Sequence, residues 1–413
     1  MTVGSDLGRP TEPGPGPGPE FARRIAERRE DIVDLCARLV AARSVNPPGD
    51  TREVAGVVLD ALSSLGLQAR AEACDPAMPS VVAELDSGRP GPHLILNVHL
   101  DTMPPGDHSL WSVEPFSLTR KDGLLFGLGM GNMKGAVAAM IHAFSLLAAT
   151  PDAWSGKVTF TAVSDEVVFG ENGAAHLLRA LPDLLGDGMI CGEGPGFKRL
   201  AIGEKGVLWL RLRAHGTPGH SSSVRRLTSA SARLAAVIAE VDQLNGLRPS
   251  RPADLAPLFD AQDPGFELTA NVGVVQAGTF IGQVATEGTA EIDLRVPPGL
   301  TCDDVQAMVT RIADGVGGVQ VERIKGWDPN WTGANSRLTR SWLSACEQLS
   351  CEPPGYAVRL PASDASRWRR LGIPALCFGP QVTLSAGVDE HAEEDEVLRC
   401  AALYATCAVE FLA

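Results

Sequence analysis

The spacing of apolar residues changes along the chain, and this change limits the folds that the chain can adopt. From Phe21 to about residue 208, short apolar runs alternate with segments of helical spacing. Such alternation is typical of an α/β sheet with parallel strands. The apolar runs are HLILNVHL (93–100), KVTFTAVSDE (157–166) and GMICGE (188–193).

Near residue 207 apolar residues begin to alternate with polar ones at every second position, as in VLWLRLRAHG (207–216) and TAEIDLRV (289–296). A long helix is predicted between these two segments, over 227–244. Hairpin-like strands with two helices predict a small α+β domain over 209–322. After it, α/β character returns. We therefore expect a discontinuous α/β domain, 21–208 and 323–413, with a mixed sheet flanked by helices, interrupted by the inserted α+β domain.

The ends and the charge of the chain exclude several classes of protein. Residues 1–20 contain ten Gly or Pro residues, which predicts a disordered tail and no signal peptide. The net charge of −14 argues against nucleic-acid and membrane binding. The nine cysteines form no CxxC pair, and most have apolar neighbours. They predict reduced, buried thiols in a cytoplasmic protein.

Polar side chains follow the predicted strands at their carboxyl ends, where functional groups gather in α/β sheets. His99 and Asp101 point the same way on a strand, which suits a metal ligand and its orienting partner. Glu166 ends the second strand and Glu193 follows the third, while His391 lies in an acidic run near the C-terminus. Together they form a plausible site for zinc or a similar ion.

These residues occur in a set of motifs that resembles a known family. The chain is similar, from about residue 25 to its end, to the co-catalytic zinc metallopeptidases that include aminoacylase, acetylornithine deacetylase, succinyl-diaminopimelate desuccinylase and glutamate carboxypeptidase. The family fold is a zinc-binding α/β domain interrupted by a lid that often dimerises. The matching stretches are HLDTMPPG (99–106), GLGMGNMKG (127–135), SDEVVFGENGA (164–174), GEGP (192–195), GTPGHSS (216–222), DLR (293–295), SDA (363–365) and DEHAEEDE (389–396).

The resemblance implies roles for individual residues. It makes His99 a zinc ligand, Asp101 its orienting carboxylate, Glu166 the general base, and Glu193 and His391 the terminal ligands of the first and second metal. His220, in the lid, resembles the histidine that reaches a partner's active site and stabilises the oxyanion. Arg295 resembles a lid arginine that contacts a substrate carboxylate.

Two ligand positions depart from the family. The carboxylate that bridges both metals is replaced by Asn132, and the second-metal glutamate by Val167. An amide supplies no negative charge and Val no donor, so we expect one zinc or other divalent ion per chain and a doubtful second site. Asn132 is equally well explained as the N-cap of a helix that begins at Met133. An alignment slip would make Asp165 the base and Glu166 a ligand, but the spacing to Gly173 favours Glu166.

The expected function is a metal-dependent amidohydrolase that cleaves a small N-acyl amino acid or dipeptide-like substrate carrying a carboxylate. It would use metal-activated water with Glu166 as base, in a homodimer formed through the lid. Because two ligand positions are altered, a second reading is a repurposed, non-hydrolytic enzyme of specialised biosynthesis, for example an acyl transferase. A third is a catalytically inactive binding protein.

Overall fold

A computed structural model of the chain describes residues 16–381 and 387–413. It contains two compact units. The first comprises Met1–Val168, Arg340–Pro353 and Pro380–Ala413, and the second Phe169–Thr339 and Pro354–Gly379. No helix of the described segments is long and apolar enough to cross a membrane.

Most of the predicted tail, residues 1–15, lies outside the described segments. The first helix begins at Gly18, earlier than the expected Phe21, because a proline fits the first turn of a helix, where its missing N–H is not needed. The first two helices, Gly18–Glu27 and Arg29–Ala41, meet at Arg28. The domain boundaries proposed from the sequence, 209 and 322, stay a prediction.

The first unit combines a mixed sheet with helices. Strands β1, β2, β6 and β3 are neighbours in that order, and only the β3–β6 pair is parallel. A small antiparallel sheet has the order β16, β5, β4. The elements are α1 (Gly18–Glu27), α2 (Arg29–Ala41), α3 (Arg52–Ser64), β1 (Ala69–Glu72), β2 (Ser80–Asp86), β3 (His93–His99), β4 (Thr119–Lys121), β5 (Leu124–Phe126), α4 (Gly135–Ala148), β6 (Lys157–Val163), β16 (His391–Glu393) and α10 (Glu394–Leu412).

Helix α4 is the centre of this unit. Its sequence, GAVAAMIHAFSLLA, is apolar on every side, and every residue from Gly135 to Leu147 is buried. A helix that is apolar all round is stable only when it is surrounded. It packs against α2, α10 and strands β3 and β6.

The second unit holds two sheets. In one, β8 pairs in parallel with β14 and antiparallel with β13 and β15, and β15 runs parallel to β7. The other is antiparallel, with the order β10, β11, β9, β12. The elements are α5 (Ala174–Ala180), β7 (Gly188–Cys191), β8 (Arg199–Glu204), β9 (Gly206–His215), α6 (Ala230–Asp242), β10 (Thr269–Ala277), β11 (Glu287–Val296), α7 (Cys302–Val316), β12 (Val319–Trp327), β13 (Asn330–Trp331), α8 (Arg337–Gln348, which continues into the first unit), β14 (Gly355–Arg359), α9 (Ala365–Arg369) and β15 (Ala375–Cys377).

The antiparallel sheet has the period-two burial that its sequence predicts. Leu208, Leu210 and Leu212 of β9 share a buried face with Ile292 and Leu294 of β11. Helices α6 and α7 cover this face and complete one apolar core. The mixed α/β fold class and the helix–sheet composition of the lid segment therefore agree with the sequence analysis.

Candidate metal and catalytic site

His99 is the last residue of β3 and is 2% exposed. Its Nδ1 lies 2.9 Å from the backbone carbonyl oxygen of Asp101. A carbonyl only accepts, so Nδ1 carries the proton and Nε2 keeps its lone pair. This Nε2 is buried without a hydrogen-bond partner among the described residues and lies 3.8 Å from Oε2 of Glu166. A neutral imidazole held in this way is suited to bind a metal ion.

The carboxylate of Asp101 holds the turn that carries Glu166. It accepts hydrogen bonds from the backbone N–H of Glu166 (3.2 Å), the backbone N–H of Val167 (3.0 Å) and the side-chain amide of Asn46 (2.9 Å). Its Oδ1 is 3.8 Å from Nδ1 of His99, too far for a hydrogen bond. Asp101 therefore orients His99 through its backbone carbonyl and Glu166 through its side chain.

Glu166 lies just beyond β6 and is 6% exposed. The chain turns at Asp165, which has a left-handed φ of 62°. Asp165 accepts a 3.3 Å hydrogen bond from the same Asn46 amide that reaches Asp101. The side chain of Val167 offers no polar atom, so a carboxylate is missing here. Sequence reasoning missed Asn46, whose only signal is the turn sequence Asn-Pro-Pro-Gly that it begins.

Asn132 lies in an irregular turn, Met130–Lys134, that precedes α4, and its own backbone is not helical (φ −143°, ψ 90°). Its backbone N–H donates to Oε1 of Glu390 (2.9 Å), and its side-chain Oδ1 is buried without a hydrogen-bond partner among the described residues. The alternative role as N-cap is wrong. Helix α4 begins at Gly135, its N-cap residue is Lys134, and no side chain caps it.

Glu390 and Lys134 support this turn, and the sequence analysis missed both roles. Glu390 is 2% exposed and also accepts from the backbone N–H of Gly129 (3.0 Å). Burial raises the pKa of Glu390, although the backbone N–H groups of the turn oppose the rise. Burial lowers the pKa of Lys134 to about 7, against the opposing attraction of Glu390, and its Nζ donates to the carbonyl of Ala42 (3.0 Å).

His391 opens β16, and its ring centroid lies 4.8 Å from that of Phe126 on the paired strand β5. Its Nδ1 is 2.8 Å from the backbone carbonyl oxygen of Asp389. As at His99, this bond places the proton on Nδ1 and leaves the lone pair on Nε2. His99 and His391 thus share the tautomer that leaves Nε2 free to bind a metal ion.

Three donor atoms of the first unit belong to side chains that the resemblance places at metal-ligand positions. His99 Nε2, His391 Nε2 and Asn132 Oδ1 are two imidazoles and one neutral oxygen, and no carboxylate stands at position 167. Over residues 16–381 and 387–413, no three His, Cys, Asp or Glu side chains form a group that could hold a metal ion. A pair of cations would lack the bridging negative charge that two adjacent positive ions need.

Glu193 belongs to the second unit and follows β7. Its Oε1 accepts a 2.7 Å hydrogen bond from Nη2 of Arg359, the last residue of β14, in an ion pair whose side chains are 4% and 5% exposed. The predicted ligand thus has a guanidinium as its direct partner. The sequence analysis did not single out Arg359, which is one arginine in an unremarked strand.

His220 is exposed and lies on a groove of about 530 Å³ within the second unit. Its Nδ1 contacts Ser222, at 2.8 Å from Oγ and 3.2 Å from the backbone nitrogen. Gln283 and Phe280 line the same groove. The role of His220 as an oxyanion-stabilising residue stays a prediction.

Arg295 lies on β11, and two of its nitrogens bond Oδ2 of Asp293, at 2.8 and 3.2 Å. Its guanidinium lies 5.7 Å from the centroid of the Phe169 ring. The third nitrogen, Nη1, is buried without a hydrogen-bond partner among the described residues. This donor is available for an acceptor such as a substrate carboxylate.

The profile of the peptidase family M20/M25/M40 matches residues 95–410. The chain belongs to this family. It is therefore an enzyme of the metallopeptidase and amidohydrolase class, and the resemblance found in the sequence is confirmed.

Relatives and solved structures agree with this assignment. The chain is 29% identical over 394 residues to the succinyl-diaminopimelate desuccinylase of Xanthomonas oryzae pv. oryzae (strain PXO99A), covering 91% of this chain and 97% of the relative. Its fold is similar to an M20 family metallo-carboxypeptidase from Sulfolobus solfataricus (TM-score 0.73, 18% identity, 93% and 99% of the two chains). It is also similar to a Bacillus subtilis protein described as a dinuclear metal binding peptidase (TM-score 0.67, 16% identity, 95% and 99%).

Lys134→Met tests the cost of burying this ammonium group. Between pH 7 and 10.5 the unfolded chain keeps the Lys134 proton and the folded chain loses it, so this residue makes the wild type more stable as the pH rises. We expect the free energy of unfolding of the wild type, measured by urea unfolding, to rise by about 2 kcal/mol from pH 7 to 9. This rise should be absent in Lys134→Met. The exposed Lys121→Met is the control and should follow the wild type. Equal pH dependence of all three proteins would contradict the prediction.

Proposed function

We propose that the protein is a metal-dependent amidohydrolase that cleaves the amide bond of a small N-acyl amino acid or dipeptide-like substrate, with Glu166 as general base. The observation that carries the proposal is the Asp101 carboxylate. It fixes the backbone of Glu166 while the Asp101 carbonyl fixes His99, and the two functional side chains stand 3.8 Å apart. A base must be positioned in this way to act on a water molecule beside a ligand.

One divalent cation, with zinc as the first candidate, is the proposed cofactor. His99, His391 and the Asn132 oxygen would hold it, since the two histidines present Nε2 and the amide oxygen is buried without a partner among the described residues. When bound, such an ion polarises the amide carbonyl and lowers the pKa of water. The resemblance also assigns Glu193, which contacts Arg359, to the first metal.

Glu166 performs the proton transfers in this proposal. Its carboxylate takes a proton from the attacking water and returns it to the leaving amine. His220 would stabilise the oxyanion of the tetrahedral intermediate, as the resemblance implies.

The proposed substrate carries a carboxylate. Arg295 supports this, because Nη1 is an unused donor beside two that bind Asp293. The relatives named succinyl-diaminopimelate desuccinylase support an N-acyl amino acid as the substrate class. In a cell we place the enzyme in the cytoplasm, since seven of its cysteines are buried free thiols.

A homodimer formed through the lid is part of the proposal. Strand β10 is an edge of the antiparallel sheet and exposes Val274 (42%) and Val275 (54%). Phe280 and Ile281, just beyond it, are 66% and 95% exposed. An apolar edge strand is a surface that pairs readily with a second chain.

Glu166→Gln tests the base. The amide cannot accept the proton, so we expect kcat for N-acyl amino acid hydrolysis to fall by about 10³-fold, with a smaller change in KM. The control is Glu171→Gln, which makes the same change at an exposed carboxylate bound to Arg179. Turnover that persists in Glu166→Gln would show that another group is the base.

If neither the variant nor the wild type hydrolyses any N-acyl amino acid of a substrate panel, a non-hydrolytic reaction on this scaffold becomes the better account, as Val167 and Asn132 already suggest.

The double variant Asn132→Asp with Val167→Glu tests the single-cation claim. It restores both carboxylates at the altered positions. We therefore expect the zinc content after zinc loading, measured by elemental analysis, to rise from about one to about two ions per chain. The control is the double variant Asn132→Asp with Val167→Thr. It adds only one carboxylate, so its zinc content should stay near about one ion per chain. A count of two in the wild type, or no rise in the double variant, would contradict the claim.

Val275→Lys tests the dimer. A charge in the middle of the exposed edge strand opposes pairing, so we expect light scattering to show a monomer where the wild type is a dimer. The control is Thr269→Lys, which changes an exposed residue at the start of the same strand and should leave the dimer intact. A wild-type monomer, or a dimer in both variants, would show that the lid edge is not the interface.

A further inference from the structure

Glu193 and Glu204 are buried carboxylates of the second unit, and each lies beside a buried guanidinium. Glu204 accepts from the Ser363 hydroxyl (2.6 Å) and lies 3.4 Å from Nη1 of Arg369. Glu193 accepts from Arg359 at 2.7 Å. All four charged side chains are less than a tenth exposed.

Arg369 is not available to Glu193. Besides Glu204, it donates to the side-chain oxygen of Asn330 (3.0 Å) and to the carbonyl of Ala375 (3.0 Å). Among the described residues, Arg359 lies at hydrogen-bond distance from one carboxylate, that of Glu193. Its Nη1 is 3.9 Å from Sγ of Cys377. The charge of Arg359 is therefore directed at the one carboxylate that the resemblance assigns to a metal ion.

This guanidinium is a permanent cation. An arginine does not release its proton under ordinary conditions, so Glu193 is neutralised at every working pH. A divalent ion on Glu193 would place two more positive charges beside a buried guanidinium that has no other carboxylate at hydrogen-bond distance among the described residues.

We infer that Arg359 takes the place of a metal ion at Glu193, so that the chain supplies as a fixed guanidinium the positive charge that a bound cation would supply there. The inference rests on the proposed function, because it concerns a residue that the resemblance makes a metal ligand.

Metal affinity tests the inference through two single variants. Glu193→Gln keeps an oxygen that can accept from Arg359, and we expect the Zn²⁺ dissociation constant, measured by competition with a chromophoric chelator, to stay within about twofold of the wild type. Arg359→Gln removes the cation and frees the carboxylate, so Zn²⁺ binding should tighten by at least about tenfold. Arg369→Gln is the matched control, because it removes the other buried guanidinium and should not tighten binding.

Opposite results would overturn the inference. A tenfold or greater loss of affinity in Glu193→Gln would show that Glu193 is a metal ligand despite Arg359. Unchanged affinity in Arg359→Gln would show that the guanidinium does not exclude a cation. These readouts need no turnover, so they are independent of the amidohydrolase assignment. If the wild type binds no Zn²⁺, the proposed function fails, while metal binding gained by Arg359→Gln still supports the role of Arg359.

Discussion

The candidate site of the first unit depends on one buried carboxylate, that of Asp101. It joins three segments that are distant in sequence: the end of β3, the turn that carries Glu166, and the loop of Asn46. A carboxylate that accepts several N–H groups is stable in a buried position, whereas an apolar replacement would leave those donors unpaired. Because His99 and Glu166 are both held through Asp101, their separation is a property of the fold rather than of a bound ligand.

Both units differ in charge from what the family resemblance implies. At Asn132 and Val167 the first unit has lost negative charge, and at Arg359 the second unit has a fixed positive charge. Each change reduces the need for cations. The first unit keeps Glu166 and both imidazoles, His99 and His391, so the chemistry of the family remains possible with fewer metal ions.

Much of the fold and part of the site could be predicted from the sequence. The apolar runs gave β3, β6 and β7 within a few residues, because strands buried on both faces are continuously apolar. The three-residue strands β4, β5 and β16 are too short to show a period. His99, Glu166 and His391 were found because they follow strands or form motifs. Asn46, Glu390 and Arg359 were missed because their partners are 55, 258 and 166 residues away, and nothing local marks such contacts.

Anomalous diffraction from zinc-loaded crystals of the wild-type protein tests the central claim most directly, since it locates each ion and its ligands. We expect one zinc ion per chain, bound by His99 and His391, with Glu193 still in contact with Arg359. Two peaks about 3.5–4 Å apart, the separation found in two-metal sites, with Glu193 bound to one of them, would contradict it.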